Sequence, residues 1–505
     1  MNKKKPKKKN VSKKINRVKK TKKLQAKKIN KNKKEKEKEE KEEKEEEEIK
    51  EIKLEETDEE MEKREKEETK AKKGKIRWQT LRGMRDILPE EWRYWDYFLT
   101  RAEKLAESYG FERIETPILE EAALYERSTG ASSDIIRKQM YSFRDKSGTP
   151  IALRPEITPS IARAYIEKGL FNRPQPVKFF YFGPNFRYER PQAGRYRQFY
   201  QFGLEILGSN EPISDAELIV FAKVLLETLG IKPFFYINSL GCSECREIYR
   251  KKIIKFLKGK RRQLCPDCQR RYRENPLRVL DCKNSRCQNI LSVVPQFVNS
   301  LCPNCHEHFI EVLEYLDAAN VSREINSYLV RGLDYYTNTV FEFFPAPKDK
   351  NDPALEIMGQ MVPALGGGGR YNNLIKSFSG RDVPALGLSF GVDRIIEELK
   401  ANHIPLPRGK KPVVFLAQIG KKARRQCLPL FETLRINDIK CAMNLAKESL
   451  KTQLEQADNL GVRFALILGS QEVQDETIIV RNMISGVQEH IPQNKLISYL
   501  KTTLR

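Results

Sequence analysis

The sequence predicts an α+β domain organised round an antiparallel hairpin, a smaller α/β domain behind it, and a charged extension in front. Three observations carry this. Val177 to Gly208 reads as two aromatic, β-prone runs joined by a charged turn containing Pro and Gly. Residues 412–505 alternate apolar strand-like runs with helical ones, a β-α-β-α-β pattern. Residues 1–77 are low-complexity, first basic and then Glu/Lys-rich, with no aromatic before Trp78. Such a composition cannot bury enough surface to offset its ordering entropy, so this tail is expected to be disordered. The expected divisions are a tail at 1–77, a main domain at 78–405 with a Cys-rich helical insertion at 235–310, and a C-terminal domain at 406–505.

At 505 residues the chain is long enough for two or three domains. Its net charge of +25 is split: thirty-two basic and twenty acidic residues leave the tail at +12 and the remainder at +13. A basic excess on both parts is compatible with an RNA partner. Lys3 to Lys34 either attracts RNA phosphates nonspecifically or serves as a solubilising tail. No apolar run approaches the roughly eighteen residues of a membrane span. The N-terminal lysines precede no apolar segment of the kind a secretory signal needs. A cytoplasmic location is expected. Ten cysteines there argue for thiols or metal rather than disulfides.

The elements follow in order. A helix of about Trp92 to Tyr109 is closed by Gly110, and a strand over Phe111 to Leu119 ends in Thr116-Pro117. A short strand from Ile151 to Glu156 leads into a helix from about Thr158 to Lys168. The hairpin comes next. Arg187, Glu189, Arg190, Arg195 and Arg197 crowd its turn, and Gln201, Gly203 and Glu205 share one face of the returning strand. A planar Arg fork suits phosphate, and a carboxylate beside it can accept from an amine. A helix spans about Asp215 to Gly230. Four cysteine pairs follow: Cys242/Cys245, Cys265/Cys268, Cys282/Cys287 and Cys302/Cys305. Three are C-x-x-C, a spacing that lets two thiolates share a tetrahedral ion. The preferred arrangement is nested, the middle four on one zinc ion and the outer four on another, closed and structural; the alternative is reduced thiols on a helical insertion. Cys427 and Cys441 stand apart as ordinary residues. Leu329 to Phe344 ends in an apolar strand, and Leu365 to Leu374 supplies glycines where a backbone must approach a ligand closely. Pro384 to Leu399 reads as a strand turning into a helix at Gly391, with Arg394 in the first helical turn, where anions are favoured. Ala401 to Lys411 is a natural linker.

The hairpin resembles motif 2 of the class II aminoacyl-tRNA synthetases in the form used by the histidyl-tRNA synthetase family. Its F-R-x-E core is Phe186-Arg187-Tyr188-Glu189, and an R-P-Q-x-G-R-Y-R-Q-F run spans Arg190 to Phe199. The R-G-L-D-Y-Y signature at Arg331 to Tyr336 is similar to that family's histidine-specific segment. L-R-P-E-x-T at Leu153 to Thr158 resembles its substrate loop. Leu81 to Asp86 with the following helix and strand resembles motif 1, and the segment around Arg394 resembles motif 3. The Gly-rich run resembles a pocket segment in which Asp is usual where Asn372 stands here. Residues 412–505 resemble the anticodon-binding domain.

The resemblance implies a mixed, mainly antiparallel class II catalytic sheet and a homodimer. It implies a two-step reaction: histidine and ATP with Mg²⁺ give histidyl-adenylate, and histidine passes to tRNA(His). By the same resemblance Arg187 and Arg331 are catalytic. Arg187, Glu189, Arg195, Phe199 and Arg394 would bind ATP. Glu156, Thr158, Gln201, Glu205, Arg331, Tyr335 and Tyr336 would bind histidine. Two other readings use the same residues: a regulatory paralogue that binds histidine without charging tRNA, and a zinc-dependent RNA-binding protein that has lost catalysis.

Overall fold

The computed structural model describes residues 78–504 apart from 131, 132, 134, 193, 347–362, 407–410, 445, 447 and 448. The predicted tail, and residues 407–410 of the predicted linker, lie outside the described residues. The first helix, Pro89–Ser108, starts slightly before the expected Trp92 because Pro89 occupies the first turn, where its missing N–H costs nothing. Its buried stripe is Trp95, Phe98, Ala102 and Ala106. Trp95 meets Tyr200 edge-on at 5.1 Å and Phe98 meets Phe202 at 5.9 Å. Each such pair is worth about 0.5–1.5 kcal/mol beyond its buried area.

Strand β1 (Glu112–Arg113) is much shorter than the strand expected over Phe111 to Leu119. The chain leaves the ladder before Pro117, which has no N–H to give it. β2 (Leu119–Glu121), β3 (Ser142–Arg144) and β4 (Pro150–Leu153) form a separate small antiparallel sheet in the order β2-β4-β3, which the sequence reading did not anticipate. β4 stops at Leu153 because Arg154 turns inward and donates to the carbonyls of Thr116 (2.8 Å) and Pro184 (2.9 Å). The helix Thr158–Glu167 follows.

The hairpin is β5 (Val177–Phe186) and β6 (Gln198–Leu207), antiparallel, with Phe186 opposite Gln198 at its mouth. Phe202, Leu204 and Ile206 of β6 enter an aromatic core with the helices Pro89–Ser108 and Pro212–Thr228. Gln201, Gly203 and Glu205 therefore take the opposite face. β7 (Pro233–Ser239) is a strand of the large sheet, so the Cys-rich excursion begins after Ser239 rather than at 235. Its helices are Ser243–Leu257, Pro266–Glu274 and Ser285–Leu291, and the last cysteine pair opens Pro303–Ala318.

β8 (Arg323–Ile325), β9 (Thr337–Pro345), β10 (Gly366–Arg370) and β11 (Ala385–Gly391) complete an eight-stranded sheet in the order β1-β5-β6-β11-β10-β9-β7-β8. Pairing is antiparallel except at the two edges, β1 with β5 and β8 with β7. The glycine run is thus a central strand bonded on both sides, its place set by its neighbours rather than by its weak β-propensity. The helix Val392–Ala401 leaves β11 at Gly391.

The C-terminal sheet has β12 (Val414–Gln418), β13 (Cys441–Met443) and β14 (Phe464–Leu468) in parallel, crossed by the helices Lys421–Ile436 and Leu450–Leu460. An unanticipated hairpin, β15 (Thr477–Asn482) and β16 (Gln488–Pro492), extends it antiparallel. Among the described residues no helix is long and apolar enough to cross a membrane.

Candidate functional site

One cleft of about 370 Å³ opens on the face of the large sheet that β6 leaves polar. Glu156, Thr158, Arg187, Glu189, Arg195, Phe199, Gln201, Arg331, Tyr336 and Arg394 all line it. They come from the substrate-loop segment, both sides of the hairpin, the loop before β9 and the helix after β11. Glu205 and Tyr335 stand behind the lining, bonded to residues that form it.

The mouth is a convergence of guanidinium groups. Arg187 donates from Nε to the carbonyl of Pro155 at 2.9 Å and lies 5.2 Å from the ring centre of Phe199. Arg195 is 3.8 Å from the carboxylate of Glu189. Arg394 donates to the carbonyls of Gly194 (3.1 Å) and Ala364 (2.6 Å), neutral partners that fix its place without cancelling its charge. Burial, then the neighbouring Arg195 and Arg187, hold the Arg394 guanidinium below its ordinary range. Cations held this close favour a bound polyanion.

Opposite them, Arg331 Nη1 donates to Glu342 at 2.5 Å, and its guanidinium lies 5.5 Å from the Tyr336 ring. Burial disfavours this charge, but Tyr336 and Glu342 outweigh it and raise the Arg331 pKa. Gly367 makes room: a Cβ there would stand 2.6 Å from Arg331 Nη1.

The deep end holds two buried carboxylates. Glu156 accepts from Thr129 (3.1 Å) and Tyr335 (2.8 Å). Burial raises its pKa, against the pull of Arg187. Glu205 accepts from Thr158 at 2.6 Å and from the Tyr371 hydroxyl. Burial pushes it up to about 8, only partly offset by those two donors. The rings of Tyr335, Tyr336 and Tyr371 cluster with centres 4.8 to 6.4 Å apart. Gln201 is oriented by Asn185, which donates to it at 2.7 Å. The pocket can thus present acceptors and hydroxyls to a small polar ring and an amine beside a phosphate-binding mouth.

Sequence reasoning missed Tyr181, Glu342, Tyr371 and Asp281, which also line the cleft. Tyr371 directly follows the Gly-rich run and was within reach; Asp281 comes from the Cys-rich excursion and carried no signal. Asn372 is structural: its side chain accepts from the backbone of Ala385 at 3.2 Å.

The eight cysteines fall into two groups, Cys242, Cys245, Cys302, Cys305 and Cys265, Cys268, Cys282, Cys287, each with its sulfurs within 4.8 Å of one another. All are free thiols. Cys242 and Cys245 sulfurs are 3.6 Å apart and Cys265 and Cys282 3.8 Å. Tetrahedral zinc with bonds of about 2.3 Å requires sulfurs roughly 3.8 Å apart. Cys242, Cys265 and Cys302 each occupy the position just before a helix's first turn. Backbone amides of Cys302, Cys265 and Asn284 donate to Cys245, Cys287 and Cys282 at 3.0 to 3.4 Å, stabilising thiolate charge. The donor set fits zinc.

A family model described as histidyl-tRNA synthetase matches residues 83–238 and 289–395, and one described as an anticodon binding domain matches 413–503. A histidine–tRNA ligase of Thermodesulfovibrio yellowstonii is 43% identical over 427 residues, 84% of this chain and 99% of its own. One of Desulforamulus reducens is 42% identical over 424 residues, 83% of this chain and 98% of its own. Among solved structures, apo S. aureus histidyl-tRNA synthetase superposes with a TM-score of 0.68 at 32% identity, covering 84% of this chain and 100% of that one. A Bacillus halodurans structure titled as an ATP phosphoribosyltransferase regulatory subunit/histidyl-tRNA synthetase is 20% identical with a TM-score of 0.55, covering 78% and 99%, a likeness of fold alone.

Proposed function

The chain belongs to the histidyl-tRNA synthetase family and joins histidine to tRNA at the expense of ATP; on that premise we propose how its residues divide the work. The observation that carries the proposal is that Arg187, Arg331 and Arg394, from three separate stretches, line one cleft.

In the first step a histidine carboxylate oxygen attacks the α-phosphorus of ATP and pyrophosphate leaves. Arg187 and Arg331 neutralise the α-phosphoryl oxygens from two sides. Arg195 and Arg394 hold the outer phosphates, Phe199 stacks on adenine and Glu189 places it. Glu156, Thr158 and Gln201 fix the amino group, with Tyr335 orienting Glu156. Glu205 and Tyr336 read the imidazole. In the second step a terminal ribose hydroxyl of tRNA(His) attacks the histidyl carbonyl and AMP leaves. Positioning and preorganised charge do most of this work. Mg²⁺, when bound with ATP, supplies further charge neutralisation; Glu189 and Glu342 on the cleft wall are oxygen donors of the type it takes.

The proposal extends to two structural zinc ions, one on each thiol group, with no ligand position left open for catalysis. Domain limits at 78–405 and 406–505 are supported by the ends of the two family matches. A homodimer and a cytoplasmic location complete it, the latter supported by ten cysteines of which none is paired in a disulfide among the described residues.

Histidine-dependent ATP–pyrophosphate exchange, followed by charging of tRNA(His), tests the assignment. Both activities are expected. Histidine binding without exchange would replace this reading with that of a histidine-sensing regulator.

A further inference from the structure

The Cys-rich excursion does more than decorate the fold. The family match passes over residues 239–288, which hold six of the eight clustered cysteines. Yet this segment makes four hydrogen bonds to the loop from Arg331 to Tyr336. Arg246, the residue after Cys245, donates to the carbonyls of Asp334 (3.2 Å) and Tyr336 (3.0 Å). Arg278 donates to the carbonyl of Arg331 at 3.0 Å, and Asn275 to the Asp334 carboxylate at 2.9 Å. Asn275 and Arg278 lie between Cys268 and Cys282, so the inner thiol group ties both ends of their segment. Asn338, at the start of β9, donates to Cys305 at 3.5 Å, and its backbone exchanges bonds with Gly241 and Leu240 at 2.9 and 2.7 Å. The outer group thereby grips the far end of the same loop. Asp281, beside Cys282, reaches the cleft itself.

We propose that the two zinc centres, each built from four cysteines, form a clamp that positions the histidine-reading loop through Arg246, Asn275 and Arg278. The inference rests on the functional reading above and deepens it. The physical reason is one of scale. The excursion's apolar core is small, centred on Tyr249 against Phe297 with Ile253, Leu257, Val279 and Leu280, and a unit of this size needs a staple to hold its geometry. Among the described residues the loop bearing Arg331 and Tyr336 has no ladder bonds of its own, so beside the side-chain anchors of Arg331 and Tyr335 its aim depends on what grips its carbonyls. Arg195 and Arg394, assigned to the outer phosphates, and Phe199, assigned to adenine, receive none of these four bonds, so most of the hold on ATP is independent of the clamp.

The test uses full-length protein purified without added metal. Elemental analysis is expected to find about two zinc ions per chain. Zinc removal, at a temperature where the far-UV signal persists, should speed hydrogen exchange across 331–336. It should raise the histidine KM about tenfold or more while the ATP KM changes less than about twofold. The double variant Arg246→Gln/Arg278→Gln should keep its zinc and show the same split, separating loop aim from folding. Fully active protein that contains no zinc overturns the metal centres. Unchanged histidine KM and unchanged loop exchange in the zinc-loaded double variant overturn the clamp. Wild-type protein lacking histidine-dependent exchange overturns the functional reading instead, and hydrogen exchange at 331–336 with and without zinc still decides the clamp.

Discussion

Arg331 donates from Nη1 to the carboxylate of Glu342 at 2.5 Å, while its buried Nε meets no acceptor among the described residues. The guanidinium is therefore anchored on one edge and unsatisfied on another. A buried donor left unpaired costs about 1–3 kcal/mol, which an arriving oxyanion would recover. Arg331→Ala should lower histidine-dependent pyrophosphate exchange about 100-fold or more, with the melting temperature near that of the parent. Arg331→Lys should rescue little, because a point charge cannot hold Glu342 and an oxyanion together. Exchange at the parental rate in Arg331→Ala would remove this residue from the mechanism.

Gly387 lines the cleft directly in front of Glu205: a Cβ there would stand 1.8 Å from Glu205 Oε2 and 2.9 Å from the carbonyl of Leu204. No side chain fits unless the Glu205 carboxylate leaves its place. Gly387→Ala should cost about 1–3 kcal/mol in urea unfolding through overpacking. Its larger effect should be on the histidine KM, with the ATP KM nearly constant. Equal changes in both constants would show that Glu205 does not report on histidine.

Burial pushes the Glu205 carboxyl from 4.5 up to about 8, so the folded protein keeps a proton that the unfolded chain has lost over that interval. The sign follows from linkage: this proton's contribution to stability is complete below about 4.5, declines as pH rises and is gone once the folded group ionises near 8. Glu205→Gln should flatten that part of the pH dependence of melting temperature. Calorimetry at pH 7 should also show histidine binding releasing a proton in the parent and not in the variant. A parallel pH profile for the two proteins would contradict the assignment.

The legible parts of the chain were those where local pattern and tertiary role coincide. In β6 the alternation of Phe202, Leu204 and Ile206 with Gln201, Gly203 and Glu205 declares both faces before any partner is known. The cysteine spacing likewise suggested which thiols could meet. The Gly366–Arg370 run gave no such cue, since a strand of glycines exists only through the ladders on either side. Glu342 carries no signal within its apolar strand, and only the packing of the 331–336 loop against β9 makes it the partner of Arg331. Asp281 enters the cleft because an entire excursion folds back, a long-range fact that periodicity does not encode.

Arg370 is fully buried at the end of β10, and it should be the least replaceable residue outside the cleft. Its Nε lies 2.7 Å from Asp215, and its two terminal nitrogens donate to the carbonyls of Ser209 (2.8 Å) and Glu211 (2.7 Å). Burial alone would raise the Asp215 pKa, but Arg370 and His308 hold it below its ordinary value, so the pair is ionised. Removing one member leaves the other charged in the interior, at a cost of about 3–5 kcal/mol. Arg370→Ala should lose that much in urea unfolding, and because Tyr371 follows directly and bonds Glu205, the histidine KM should rise as well. Replacing both members with apolar side chains, Arg370→Met with Asp215→Leu, should restore part of the stability, since neither charge of the pair is left alone while the carbonyls of Ser209 and Glu211 lose their donor. A single variant costing under about 1 kcal/mol would mean that water reaches this pair and that β10 is held by its ladders alone.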